Sequence, residues 1–148
     1  MDVDPPYGDA AAAYQAWIDQ LWNGPLDDLE DVASGLVARD FVGSWPGAPE
    51  MVRGAAALAG VVRAGRLPFD GLRFEIEVGP ITSGDLVAAR WVGRGRYAGG
   101  ERALPGATAP AGTPVEFRGH DILRFAGGAF SEYWVISEGE HLMSQLTV

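Results

Sequence analysis

An α+β fold is predicted by a change of rhythm along the chain. Apolar residues recur at helical spacing up to about Arg66; after Gly71 they alternate with a period of two. Helices first and a run of antiparallel strands afterwards build a sheet with one apolar face under the helices and one charged face. The 148 residues fit one domain over 1–148, with no internal repeat and no linker.

Residues 1–8 read as a loose arm. Asp9 can cap a first helix whose stripe is Tyr14, Trp17, Ile18, Leu21 and Trp22, and Asn23-Gly24-Pro25 ends it. A second helix covers Leu26 to about Leu36. Phe41 to Trp45 and Met51 to Arg53 form a short extended pair around Pro46-Gly47-Ala48-Pro49. A third helix runs from about Ala55 to Arg66 and stops before Pro68.

Phe74, Ile76 and Val78 then alternate with Arg73, Glu75 and Glu77. Leu86 to Tyr97 is a long strand with Val87, Ala89, Trp91, Gly93, Gly95 and Tyr97 on one face. Residues 99–113 make a Gly/Pro/Ala loop, long enough for a compact domain to read as a candidate lid. Strands 114–125 and 129–138 follow as a hairpin, and the tail from Gly139 is placed to cover a sheet edge. Arg90, Arg94, Arg118 and Arg124 with Glu75, Glu77 and Glu116 populate the charged face, where opposed signs on neighbouring strands can pair.

Cysteine and lysine are both absent, so disulfides, thiolate catalysis and Schiff-base lysine chemistry are excluded. A net charge of -9 argues against a nucleic-acid partner. No apolar run is long enough for a membrane span and no secretory signal is visible, so a cytoplasmic protein is expected. His120 and His141 stand without a ligand pattern, which gives no metal site. No Gly-x-Ser-x-Gly elbow occurs. Gly93-x-Gly95-x-x-Ala98 is followed by a loop where a dinucleotide fingerprint needs a helix, so no cofactor is expected.

One residue breaks the pattern. In the strand that includes Gly119-His120-Asp121-Ile122-Leu123-Arg124-Phe125, Asp121 shares a face with Val115, Phe117, Gly119, Leu123 and Phe125. A lone acid on an apolar face is costly unless it has a partner or a task. His120, its neighbour, points to the opposite, charged face.

That segment, with Glu132-Tyr133-Trp134-Val135-Ile136-Ser137-Glu138, Gln145-Leu146 and the junction Leu67-Pro68-Phe69-Asp70-Gly71-Leu72, resembles the SnoaL-like polyketide cyclases of the nuclear transport factor 2-like superfamily. The resemblance implies a cone-shaped, curved antiparallel sheet of α+β barrel type with three helices packed on its inner face, and a homodimer. It implies Asp121 as general acid/base. It puts Tyr97 where many members carry a histidine at the end of the long strand, and Glu138 where they carry an aspartate. The implied activity is isomerase- or lyase-type, in antibiotic biosynthesis: cofactor-independent ring closure of a polyketide-derived intermediate.

Aldol-type closure needs one proton removed beside a carbonyl and one delivered to the acceptor, and a desolvated aspartate can do both in turn. Tyr97 can donate to a developing enolate. Substrate-lining residues are expected at Tyr14, Trp17, Phe41, Trp45, Met51, Trp91, Phe117, Trp134 and Glu138 around a small hydrophobic molecule. Gly93 and Gly95 leave inward volume. Shape-driven closure, such as cycloaddition or epoxide opening, needs no acid/base. The Asp-Arg-Asp arrangement of limonene-type epoxide hydrolases is incomplete, since Val92 follows Arg90 by two. A non-catalytic binding or dimeric interaction module on the same fold is the alternative.

Overall fold

A computed structural model describes residues 9–148; the arm expected over 1–8 lies outside the described residues. Helix α1, Ala10–Ala16, starts where the Asp9 carboxylate accepts the Ala12 N–H at 2.7 Å. It continues as a π-helical segment, Trp17–Trp22, closed by Asn23 N–H on the Ile18 carbonyl. The stripe of Tyr14, Trp17, Ile18 and Leu21 is buried. Asn23 ends the helix by pairing its amide with the backbone N–H and carbonyl of Phe74, at 2.8 and 2.9 Å, which docks the helix on the sheet.

A short 3-10 turn, Leu26–Asp28, leads into α2, Leu29–Leu36, which buries Leu29, Ala33 and Leu36. Helix α3, Gly54–Arg66, buries Leu58, Ala59 and Val62. Its last residue, Arg66, donates to the carbonyls of Leu21 and Gly24 and so satisfies the open C-terminal end of the first helix.

The strands are β1, Val37–Ser44; β2, Val52–Arg53; β3, Phe69–Ser83; β4, Leu86–Tyr97; β5, Pro114–Ala126; and β6, Ala129–Ser137. They form one sheet in the order β2-β1-β6-β5-β4-β3. Register shifts in β3 against β4 add the local twist that curves it. The sheet is curved but not closed: β2 and β3 remain its two edges, so the expected barrel is an open one-layer cone. One pair, β1 with β6, is parallel, where an all-antiparallel sheet is expected from the sequence. These strands are far apart in the chain, so no hairpin forces the opposite direction.

A fourth helix, α4, Gly139–Gln145, occupies the tail. Glu116 lies beyond the last β5–β6 pair, Gly119 with Ser137, so its backbone has no strand neighbour on that side. The Gln145 amide takes that place, accepting from the Glu116 N–H and donating to its carbonyl, both at 2.9 Å. The loop 98–113 is fastened to the same tail: Thr108 and Ala109 N–H both donate to the Leu146 carbonyl.

The outer face carries the expected ionic ladder. Arg90 and Arg118 meet Glu77 at 3.2 and 2.9 Å, Arg118 and Arg94 meet Glu116 at 3.0 and 3.1 Å, and Arg90 contacts His120 at 3.0 Å. No helix among the described residues is long and apolar enough to cross a membrane.

Candidate active site

Asp121 is the one acidic or basic side chain buried among the described residues, at 2% exposure. Alternation along β5 turns it inward with Val115, Phe117 and Leu123, all buried, while Arg118, Ile122 and Arg124 face out. Two phenols hold it. Tyr14, from α1, donates to Oδ2 at 2.8 Å, and Tyr133, from β6, donates to Oδ1 at 2.6 Å. Burial pushes the Asp121 carboxyl above its ordinary range. Hydrogen bonds from Tyr133 and Tyr14, with the Trp91 indole and His120 nearby, pull it back without cancelling the desolvation. Tyr14 and Tyr133 are raised by burial and by the facing Asp121 charge, so both phenols keep their protons as donors.

A cavity of about 180 Å³ opens beside the acid. Asp121 and Tyr133 are its polar end. Trp45, Trp91, Phe117, Phe74 and Phe69 form its walls, and Ile18, Trp22, Gly65, Val135, Ser137 and Leu142 complete it. An apolar cavity of about 150 Å³ holds one benzene ring, so this space takes one ring of a larger molecule. Among the described residues, no arginine or histidine lines it. Among the described residues, no group of three or more His, Asp or Glu gathers to hold a metal.

Three glycines seat these walls. A Cβ at Gly119 would collide with the Trp91 indole, one at Gly93 would lie 2.9 Å from Phe74 and 3.1 Å from Phe117, and one at Gly43 would meet the Trp45 ring. The volume expected to stay open at Gly93 is therefore filled by aromatic rings, which turn their edges to one another at 5.1 to 6.0 Å. Gly95 abuts the backbone of Leu72 and Asp70.

Of the residues the sequence points to, Asp121, Trp45, Trp91 and Phe117 line the cavity, and Tyr14 stands behind the acid. The others go elsewhere. Tyr97 lies eight residues along β4 from Ala89, the partner of Asp121, or about 26 Å at strand rise. Its hydroxyl accepts the Leu104 N–H at 2.9 Å and fastens the 98–113 loop. Trp17 is fully buried against Phe41, Phe130 and Tyr133, with its indole N–H unpartnered, and Phe41 is core as well. Met51 is 45% exposed and lies beside Ser44 in a surface depression. Glu138 is exposed and accepts the Arg118 N–H at 3.0 Å. Trp134 is on the outer face with His120, Ile122 and Ile136.

One bulge explains both Trp134 and the residue the sequence reading misses, Tyr133. The hairpin turn pairs Ala126 with Ala129 and Phe125 with Phe130; continued without a break, it sets Trp134 opposite Asp121. Ser131 is an extra residue, so Arg124 pairs with Glu132, Leu123 with Tyr133 and Asp121 with Val135. Tyr133, Val135 and Ser137 thereby turn inward. The signal available in the sequence is the odd-numbered alternation Tyr133, Val135, Ser137 itself.

The model of the SnoaL-like domain matches residues 14–133, most of the chain. The chain belongs to the SnoaL-like domain family. Among solved structures, IdmH from Streptomyces antibioticus, a candidate polyketide cyclase, is 25% identical, with 92% of this chain and 96% of that chain covered and a TM-score of 0.73. A candidate SnoaL-like polyketide cyclase from Jannaschia sp. CCS1 is 17% identical over 100% of this chain and 98% of its own, at a TM-score of 0.80. AclR from Streptomyces galilaeus, a candidate hydroxylase, is 20% identical over 91% and 78%, at 0.72. The latter two share the fold. No curated protein matches the chain.

Proposed function

We propose that this SnoaL-like chain is a cofactor-independent cyclase or isomerase of a polyketide-derived intermediate, with Asp121 as general acid/base. The observation that carries the reading is a buried carboxyl at the polar end of an apolar cavity, its two oxygens steadied by two phenols. Burial brings its proton affinity towards neutrality, as a group that takes and returns a proton requires. Family membership and the likeness to a candidate cyclase support the same class of reaction. The substrate is a small, largely apolar molecule that places one ring and a carbonyl against Asp121.

The acid/base step is tested without the natural substrate. In deuterated water, 2-tetralone loses its proton signals beside the carbonyl as a base exchanges them. Wild type is expected to accelerate this loss, and Asp121→Asn to lower the rate by about 100-fold or more. Equal exchange by Asp121→Asn overturns the acid/base reading and leaves a shape-driven closure. A second reading, a non-catalytic ligand-binding module, is favoured by one observation: both carboxyl oxygens already have partners. Binding of 2-tetralone without exchange by wild type supports it.

A further inference from the structure

The two phenols on Asp121 are not equivalent. Both donate to the same carboxyl, at 2.8 and 2.6 Å. Tyr133 also lines the cavity, while Tyr14 does not. The Tyr133 ring is gripped between Trp45 and Trp17, with centroids 4.7 and 4.9 Å away, so its hydroxyl is held at the cavity wall. Among the described residues no arginine or histidine lines the cavity, so a negative oxygen formed there meets hydroxyl and indole donors.

We propose that Tyr133 is a second catalytic group, the hydroxyl that meets the enolate oxygen formed when Asp121 removes a proton from the neighbouring carbon. This rests on the acid/base reading of Asp121. In the step, the substrate C–H bond breaks and its proton goes to the Asp121 carboxylate. The electron pair moves into the carbonyl, which becomes an enolate oxygen. The Tyr133 O–H, released as the carboxylate loses its charge, turns its hydrogen bond to that oxygen. The enolate carbon then bonds to the acceptor carbonyl carbon, and the Asp121 proton passes to the new alkoxide, so atoms and charge balance. Tyr14, behind the carboxyl, is a positioning residue: it steadies the carboxylate and never meets the substrate. The ligand class that follows is a neutral ketone that sets one ring in the cavity, or its enolate, with phenolates as stable mimics.

Two measurements test the split, with Tyr14→Phe as the matched control because each variant removes one hydroxyl from one carboxyl. The first is 2-tetralone exchange followed by proton NMR across pH. The second is binding of 4-nitrophenol followed by its absorbance. Tyr133→Phe is expected to slow exchange by about 100-fold and to weaken 4-nitrophenol binding by about tenfold or more. Tyr14→Phe is expected to hold 4-nitrophenol within about threefold of wild type and to move the exchange midpoint to higher pH, because a bond that favours the carboxylate is gone. Equal losses in both variants, or 4-nitrophenol binding unchanged in Tyr133→Phe, overturn the assignment. Failure of the underlying reading looks different: Asp121→Asn then exchanges like wild type. A wild type that neither exchanges 2-tetralone nor binds 4-nitrophenol overturns the proposal outright.

Discussion

The indole of Trp91, on β4, lies flat across Gly119, its partner on β5, and a Cβ at Gly119 would sit 2.7 Å from the ring atom Cε2. The missing side chain on one strand is thus the seat of the aromatic wall on the next. Because Trp91 lines the same cavity as Asp121, this seat sets the shape of the site beside its acid.

Gly119→Ala is therefore expected to displace Trp91 and to destabilise the protein by about 1–3 kcal/mol, the usual range for overpacking. Thermal melts and tryptophan emission read both effects. In a Trp91→Leu background the same substitution is expected to cost less, since the ring it strikes is gone; equal costs in the two backgrounds overturn the seat.

The raised carboxyl of Asp121 carries a pH signature in stability. Its folded form holds a proton more tightly than its unfolded form, so the folded state binds more protons between the ordinary value of 3.8 and the raised one. The stabilisation is complete below 3.8 and is lost as pH rises through the folded value. Asp121→Asn, which cannot ionise, is expected to gain in melting temperature relative to wild type as pH increases above 3.8. A difference that stays constant with pH contradicts the raised carboxyl.

Tyr97 is tied to the loop: its hydroxyl accepts the Leu104 N–H. Tyr97→Phe leaves the Leu104 N–H without its partner, at a cost of about 1 kcal/mol. Limited proteolysis is expected to cut within 98–113 faster, while 2-tetralone exchange stays within about twofold of wild type. A large loss of exchange with an intact loop returns Tyr97 to the reaction.

For the homodimer expected from the resemblance we propose the outer-face patch of Ile122, Trp134 and Ile136, where the two isoleucines are 45% and 69% exposed. Ile136→Asp is expected to convert a dimer into a monomer in sedimentation, with the fold retained by circular dichroism. A wild-type protein that sediments as a monomer removes this arrangement.

Where the sequence is legible, an uninterrupted periodicity is the reason. The strand from Val115 to Phe125 has no bulge along its inner-face stretch, so its alternation alone turns Asp121 inward and His120 outward, and the structure agrees. The stripe from Tyr14 to Leu21 is equally direct, although its widening into a π-helix leaves no mark in residue spacing. Beyond Ser131 one inserted residue exchanges the faces of Tyr133 and Trp134, and no local propensity announces a bulge of this kind. Tyr97 faces inward as expected, but stands far down β4 from the acid, a separation that alternation alone does not report. Gly93 is inward as expected, yet rings from two other strands enter the space it leaves.

The three groups that make the acid centre come from positions 14, 121 and 133, and the bond from Tyr14 to Asp121 spans 107 residues of chain. Such a contact forms only after the long loop between its ends has closed, which is the slow part of building a sheet of this kind. A chain still emerging from the ribosome cannot close both phenols on Asp121 until β6, which carries Tyr133, has been made.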